Sequence, residues 1–322
     1  MNLQTVCVIG GSGFVGRHIA HLLTRRAIRT RVPTRRLERV KQELIILPTV
    51  DVIEASVHEP QTLARLVAGC DAVINLVGIL HEERPGDFTR VHTELPRRIV
   101  DACRAQGVKR LIHMSALKAA HNAPSEYLRS KAGGEQQVRV AEASGIRTTI
   151  FRPSVIFGRG DSFLTLFAQL ARWAPVLPLA CPNARFQPVW VEDVAAAIVG
   201  AITDSETFGQ AYDLCGPKVY TLRQLVEYVL QVTRRRRWVI GLNETLSYLQ
   251  AWGMEWMPVK LMTRDNLASM KVDNVCDCAF PAAFGLEPTP LEAVAPTYLA
   301  QHGPKARLNQ LRLRARRQKE IR

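Results

Sequence analysis

The chain has 322 residues, 47% hydrophobic and 22% charged, the make-up of a soluble globular protein with length for about two domains. That composition excludes a disordered or low-complexity polypeptide. The formal charge of +14 points to acidic partners, whether nucleotides, nucleic acid or anionic lipid, and concentrates at Arg25 to Arg39, at Arg234 to Arg237 and after Pro304.

The N-terminus runs straight into a strand-like stretch, with no basic or apolar leader, so no export signal is expected. The most apolar later stretch, Leu164 to Cys181, is broken by Gln169, Arg172, Pro175 and Pro178, so no transmembrane segment is expected either. The cysteines, Cys7, Cys70, Cys103, Cys181, Cys215, Cys276 and Cys278, are odd in number and lack zinc spacing. They are expected to be buried thiols in a reducing compartment, and no metal site is expected.

Thr5 to Gly16, TVCVIGGSGFVG, is an apolar run closed by glycines at spacing three, Gly10, Gly13 and Gly16. A strand, a glycine turn and then a helix present helix N–H groups to a pyrophosphate. Gly10 would permit the tight turn, Gly13 the close approach of phosphate and Gly16 the packing of helix on strand. Val15, Ile19, Leu22 and Leu23 recur at helical spacing after them, so the motif has its required context. Phe14 and Val15, which open that helix, join the glycines as candidate dinucleotide contacts.

Thr30 to Val32 reads as the second strand. An acidic residue after it would take a ribose 2′-OH, whereas an arginine accommodates a 2′-phosphate. The chain offers Thr34-Arg35-Arg36, which favours NADP(H), with NAD as the alternative and Arg35 as the phosphate contact. Val50 to Ile53 is the third strand, Pro60 to Ala68 a helix, and Ala72 to Val77 a fourth strand that leads into Gly78. A helix over Asp87 to Gln106 and a fifth strand, Arg110 to Met114, follow. Alternation at these lengths predicts a doubly wound parallel sheet of Rossmann type, whose chemistry lies beyond the carboxyl ends of the strands. Val77, Gly78 and Ser115 therefore face the cleft.

Pro124 and Ser125 look like a helix start, so Tyr127 and Lys131 share a face one turn apart. An ammonium beside a phenol is expected to lower its pKa and let it trade a proton with a carbonyl or alcohol, while Ser115 polarises the same oxygen. Tyr-x-x-x-Lys is weak evidence by itself; its position after Ser115 and the glycine turn is what carries the reading.

From GGSGFVG through SEYLRSK the chain resembles the extended or atypical branch of the short-chain dehydrogenase/reductase superfamily. YLRSKAGGE, FRPSVIFGRGDSFL and QPVWVEDVAAAI are similar to proteins related to the nucleotide-binding accessory subunit of respiratory complex I. The superfamily implies a nicotinamide cofactor, with Tyr127 as acid/base, Lys131 on the nicotinamide ribose and Ser115 on the substrate oxygen. It also implies that Pro153 and Ser154, after a sixth strand, line the nicotinamide. The narrower family implies tightly held NADP(H) and, in its mitochondrial members, a structural part in complex I. Two departures stand out: Val91-His92-Thr93-Glu94-Leu95 where extended members carry an asparagine relay, and Glu54-Ala55-Ser56 where an Asp usually meets the adenine.

The expected organisation is a dinucleotide-binding domain over 1–160 with return segments near 187–216, a smaller interleaved substrate lobe over 161–303 and a basic tail over 304–322. Asp193 is read as a structural helix-start carboxylate. The Trp- and Met-rich stretch Leu246 to Met262 fits core packing, a large apolar ligand or a membrane edge. The tail fits anionic lipid or a respiratory complex, while the basic runs lack the interleaved aromatics that stack bases, so nucleic acid is not the expected partner. The reading is an NADP(H)-dependent oxidoreductase acting on an apolar small molecule, or a non-catalytic cofactor-binding accessory protein, in a bacterial cytoplasm and peripheral on the inner membrane.

Overall fold

Val6, Cys7, Val8 and Ile9 are all fully buried, because successive side chains of their strand enter different cores on opposite faces of one sheet. A computed structural model describes residues 3–257 and 261–300; the tail at 304–322 lies outside the described residues. The central strands are β1 (Thr5–Ile9), β2 (Arg29–Thr34), β3 (Val50–Glu54), β4 (Ala72–Asn75), β5 (Arg110–Met114) and β6 (Arg147–Pro153). The shorter β7 (Ile156–Phe157), β8 (Val176–Leu179), β9 (Arg185–Phe186) and β10 (Val189–Trp190) precede β11 (Gln210–Leu214), β12 (Tyr220–Thr221) and β13 (Trp238–Gly241).

Seven strands form one parallel sheet in the order β11-β6-β5-β4-β1-β2-β3. The order reverses between β1 and β4, which opens a crevice at their carboxyl ends, the place where such sheets bind ligands. This is the Rossmann-type α/β fold. The remaining strands pair two by two: β7 with β10, β8 with β13 and β9 with β12.

Helices α1 (Phe14–Arg25), α2 (Leu37–Leu44), α3 (Pro60–Val67), α4 (Leu95–Ala105) and α5 (Glu126–Val140) cover the sheet. Helix α6 (Leu164–Trp173) begins the second core. Helix α7 (Val191–Ala201) returns the chain to pack on α1, and its own apolar length is buried nearly throughout. Then come α8 (Leu222–Val232), α9 (Glu244–Glu255), α10 (Arg264–Ser269) and α11 (Leu291–Leu299). The second core gathers Phe157, Leu164, Leu177, Leu225, Val229 and Leu299, away from the sheet.

Helix α2 was not predicted. Its sequence LERVKQEL is half charged, yet Val40 and Leu44, one turn apart, are buried against the sheet. The helix expected over Asp87 to Gln106 is split: Thr89–Glu94 is a π-helix and only then does α4 begin. Pro96 explains the break, since it has no N–H for the carbonyl of His92 four residues earlier. Helix α5 packs against that carbonyl with Gly134, whose position would bring a Cβ to 2.1 Å from it.

The cysteine expectation needs correction. Cys7, Cys70 and Cys103 are buried thiols, but Cys278 is exposed, and Cys215 and Cys276 form a disulfide across 61 residues. Asp193 is structural as expected, by a different route: its carboxylate accepts from the N–H and hydroxyl of Thr289 at 2.7 and 3.1 Å, tethering the chain before α11. Arg110, fully buried at the start of β5, had no sequence signal. Its guanidinium donates to the carbonyls of Ala201 (2.7 Å), Ile202 (3.2 Å) and Arg147 (3.0 Å) and to Thr149 Oγ1 (2.7 Å), closing the C-terminal end of α7.

Candidate active site

The glycine turn connects β1 to α1 at the crevice. Gly10 has φ of +87°, which glycine alone adopts without strain, and a Cβ there would lie 3.1 Å from the backbone of Leu76 and Val77. A Cβ on Gly16 would lie 2.4 Å from Gly11 Cα, so the helix can approach the turn only without one. Gly13 is the N-cap of α1 and supplies no side-chain cap, which leaves the first helical N–H groups, from Phe14 to Gly16, directed at the crevice. Spacing did not single out Gly11, yet a Cβ there would meet both methyls of Val32 at 2.9 Å. Val15 is buried under the turn and Phe14 is half-buried at its rim.

Strand β2 runs past the expected Val32 to Thr34, so Arg35 is the first residue beyond its carboxyl end and is exposed there. Among the described residues no hydrogen bond or ion pair engages its guanidinium. Strand β4 ends at Asn75, two residues earlier than expected, and Val77 and Gly78 form the loop after it. Asn75 Oδ1 accepts from Val77 N–H at 3.2 Å and holds that loop.

Across the crevice, Ser115 follows β5. Its hydroxyl is buried and has no hydrogen-bond partner among the described residues. Buried polar groups are otherwise nearly always satisfied, so this oxygen is a natural seat for a ligand atom. Lys131 Nζ donates to the carbonyl of Met114, next to Ser115, at 3.2 Å, and a Cβ on Gly78 would lie 3.1 Å from it. Lys131 is buried, and burial pulls its pKa down to about 8 against the opposing pull of Glu135.

Tyr127 stands one turn earlier on α5, with its ring edge-on to His92 and Phe88. The structure does not lower the phenol pKa as expected from the lysine: burial pushes it up to about 12, and Lys131 donates instead to the Met114 carbonyl. Helix α5 is capped by Ser125, whose Oγ accepts from Leu128 N–H, and by Asp265 of α10, which no sequence pattern announced.

His92 is 2% exposed, and both its ring nitrogens are committed. Nε2 accepts from Ile79 N–H at 3.0 Å, which leaves the proton on Nδ1 to donate to Ser130 Oγ at 2.9 Å; Ser130 in turn donates to the carbonyl of Tyr127 at 2.8 Å. Burial, with the charges of Lys131 and His113, holds the His92 pKa down to about 2. The ring is thus a neutral strut between the Gly78 loop and the tyrosine helix.

Pro153 ends β6, and its carbonyl accepts from Leu117 N–H at 3.0 Å. Ser154 donates its hydroxyl to Asn274 Oδ1 at 2.6 Å, so its side chain is spent within the protein. The segment carrying Asn274 is fastened at Cys276 by the disulfide and by a hydrogen bond from Cys276 N–H to Gln187 Oε1. No helix among the described residues is long and apolar enough to cross a membrane.

The chain is similar to known proteins. The description "NAD dependent epimerase/dehydratase family" matches residues 6–215. The chain is 33% identical over 313 residues, 92% of its length and 79% of the relative's, to NADH dehydrogenase [ubiquinone] 1 alpha subcomplex subunit 9, mitochondrial, of Mus musculus. It is 34% identical over 196 residues, 60% of its length and 59% of the relative's, to a ceramide reductase of Caulobacter vibrioides. In fold it is similar to a UDP-glucose 4-epimerase of Thermotoga maritima, with a TM-score of 0.74 over 96% of this chain and all of that one at 15% identity. From the glycine turn to the return strand β11, the chain belongs to the NAD dependent epimerase/dehydratase family.

Proposed function

We propose that this protein is an NADP(H)-dependent oxidoreductase that moves a hydride to or from a carbonyl or alcohol of an apolar substrate, of quinone or isoprenoid kind. The observation that carries the reading is the orphaned Ser115 hydroxyl, buried beside Lys131 and on the side of the crevice that Tyr127 shares. In this reading the uncapped start of α1 takes the pyrophosphate and Arg35 the 2′-phosphate. Lys131 would hold the ribose beside Gly78. When bound, the nicotinamide supplies or accepts the hydride. Ser115 orients the substrate oxygen, and Tyr127, neutral at pH 7 because its pKa lies near 12, stands ready to give that oxygen a proton.

A second reading has its own observation. With both ring nitrogens committed, His92 cannot relay protons to Lys131, which suits a protein that keeps the nucleotide as a structural ligand. The likeness to a complex I subunit over 92% of the chain supports it. The deciding experiment denatures freshly purified protein, identifies released nucleotide by mass, and follows NADPH oxidation with long-chain ketones and quinones. Turnover that Tyr127→Phe abolishes supports the enzyme. Retained NADP(H) with no turnover, and co-purification with a respiratory complex, supports the accessory protein.

A further inference from the structure

Helix α9 is inside out. A surface helix ordinarily buries an apolar stripe and gives its polar residues to water. Here the buried residues are Ser247 and Ala251, while Leu249 is 58%, Trp252 46% and Trp256, just past the helix, 79% exposed. The spacings of three and four place these apolar residues on one outward stripe, opposite the buried pair. The rings of Trp252 and Trp256 meet edge to face, 6.4 Å apart. Leu246 and Tyr248 flank the stripe and are about half exposed.

The neighbouring ribbon repeats the pattern. Strands β8 and β13 pair with Trp238 opposite Val176 and Ile240 opposite Pro178. Alternation buries Leu177 and Leu179 and turns Val176, Trp238 and Ile240 outward, with Trp238 77% exposed. Gln250 donates to the carbonyl of Pro178 at 3.0 Å, so α9 lies alongside this ribbon. At the ribbon's start Trp173, 84% exposed, ends α6. Exposed apolar residues gathered on two neighbouring elements mark an interaction site, and tryptophans among them suit a boundary between apolar and aqueous phases.

Charge identifies the partner. Arg234 to Arg237 lead directly into β13. Arg235 and Arg237 turn inward to the carbonyl of Ala171 at the end of α6, whereas Arg172, Arg234 and Arg236 are exposed. None of these five is paired with a carboxylate among the described residues. The acidic groups of α9 are answered locally: Glu244 pairs with Lys271 and Glu255 with Arg264. An arginine band against a tryptophan and aliphatic band is the complement of phosphate headgroups above acyl chains.

We propose that the outward face of α9 and the β8–β13 ribbon docks on an anionic phospholipid bilayer, with the tryptophans seated at headgroup depth and Arg172, Arg234 and Arg236 on lipid phosphates. The proposal holds whether or not the protein turns over a substrate.

The test is flotation of the full-length protein with phosphatidylcholine vesicles with and without phosphatidylglycerol, at low and high salt. It is read together with tryptophan quenching by lipids brominated in the acyl chain. The expected results are salt-sensitive binding that needs the anionic lipid, and quenching by the brominated chains. Leu249→Ser, Trp252→Ser and Trp256→Ser combined should weaken binding at least about tenfold while the melting temperature is kept. Arg234→Glu with Arg236→Glu should remove the dependence on phosphatidylglycerol. Absence of vesicle binding at low salt overturns the proposal. Binding that the triple variant leaves intact also overturns it, and assigns attachment to the basic segment after Pro304. A dimer in sedimentation that the triple variant abolishes, with no vesicle binding, assigns the face to a second copy instead.

Discussion

Asp265 accepts hydrogen bonds from the backbone N–H groups of Glu126 at 2.6 Å and Tyr127 at 3.2 Å, so a carboxylate of α10 caps the helix that carries the candidate acid. Such caps contribute about 1 kcal/mol, and a negative charge at a helix start adds to that. Asp265→Ala is expected to lower the melting temperature by a few degrees and to reduce kcat without weakening NADPH binding. Asp265→Asn should recover most of the stability. Calorimetry and NADPH titration on the same preparations check this; a loss of nucleotide affinity matching the loss of rate would sink it.

The proposed preference for NADP(H) makes Arg35 the residue to test. It is exposed, free of internal partners among the described residues, and placed one residue past the end of β2. A guanidinium on a phosphate is a charge-assisted, forked contact of about 1.5–3 kcal/mol. Arg35→Glu is expected to weaken NADPH at least about tenfold and to spare NADH. Equal losses for both nucleotides would remove Arg35 from the phosphate site.

The glycine turn and the Tyr127–Lys131 pair were legible because their constraints are local. Gly10 needs its φ of +87°, and the pair is fixed by one turn of α5. Gly11 was not legible, since the space it must leave is claimed by Val32, on the next strand. Asp265 reaches α5 across 139 residues and Asn274 reaches Ser154 across 120, and no spacing rule spans such distances. The direction of the Tyr127 pKa also failed to follow from its lysine neighbour. It depends on burial and on where the ammonium is spent, and both are properties of the packed site.

If Tyr127 is the proton donor, its hydroxyl is needed for the chemical step and not for the cofactor. Tyr127→Phe is expected to lower kcat by roughly 10²–10⁴ with unchanged NADPH affinity. Ser115→Ala should act more on kcat/KM if its unpartnered hydroxyl is the group that meets the substrate oxygen, as proposed. Stopped-flow hydride transfer with the best substrate of the panel separates the two. A Tyr127→Phe protein with full single-turnover rate would exclude the tyrosine.

Arg110 should be among the costliest positions outside the site. It is fully buried, burial lowers its pKa to about 10, and it satisfies the carbonyls of Ala201, Ile202 and Arg147. Arg110→Met fills much of the volume but leaves those acceptors without donors, at about 1–3 kcal/mol each before relaxation. A loss of about 3–5 kcal/mol in urea unfolding is expected. A loss below about 1 kcal/mol would mean that water replaces the guanidinium without difficulty.

The two buried histidines are expected to make the fold sensitive to mild acid. Burial is the leading cause that holds His92 down to about 2 and His113 down to about 3, against an ordinary value of 6.5. Their folded pKa values are depressed, so between pH 6.5 and about 3 the unfolded chain binds more protons than the folded one. Stability is therefore full above pH 6.5 and falls as the pH drops, by roughly 2 kcal/mol per histidine at pH 5. His92→Asn should flatten this slope while keeping a side chain that can accept from Ile79 N–H. Denaturant midpoints at pH 7.5 and pH 5 for the natural protein and the variant measure it, and parallel losses in both would show that carboxylates, rather than His92, set the acid limit.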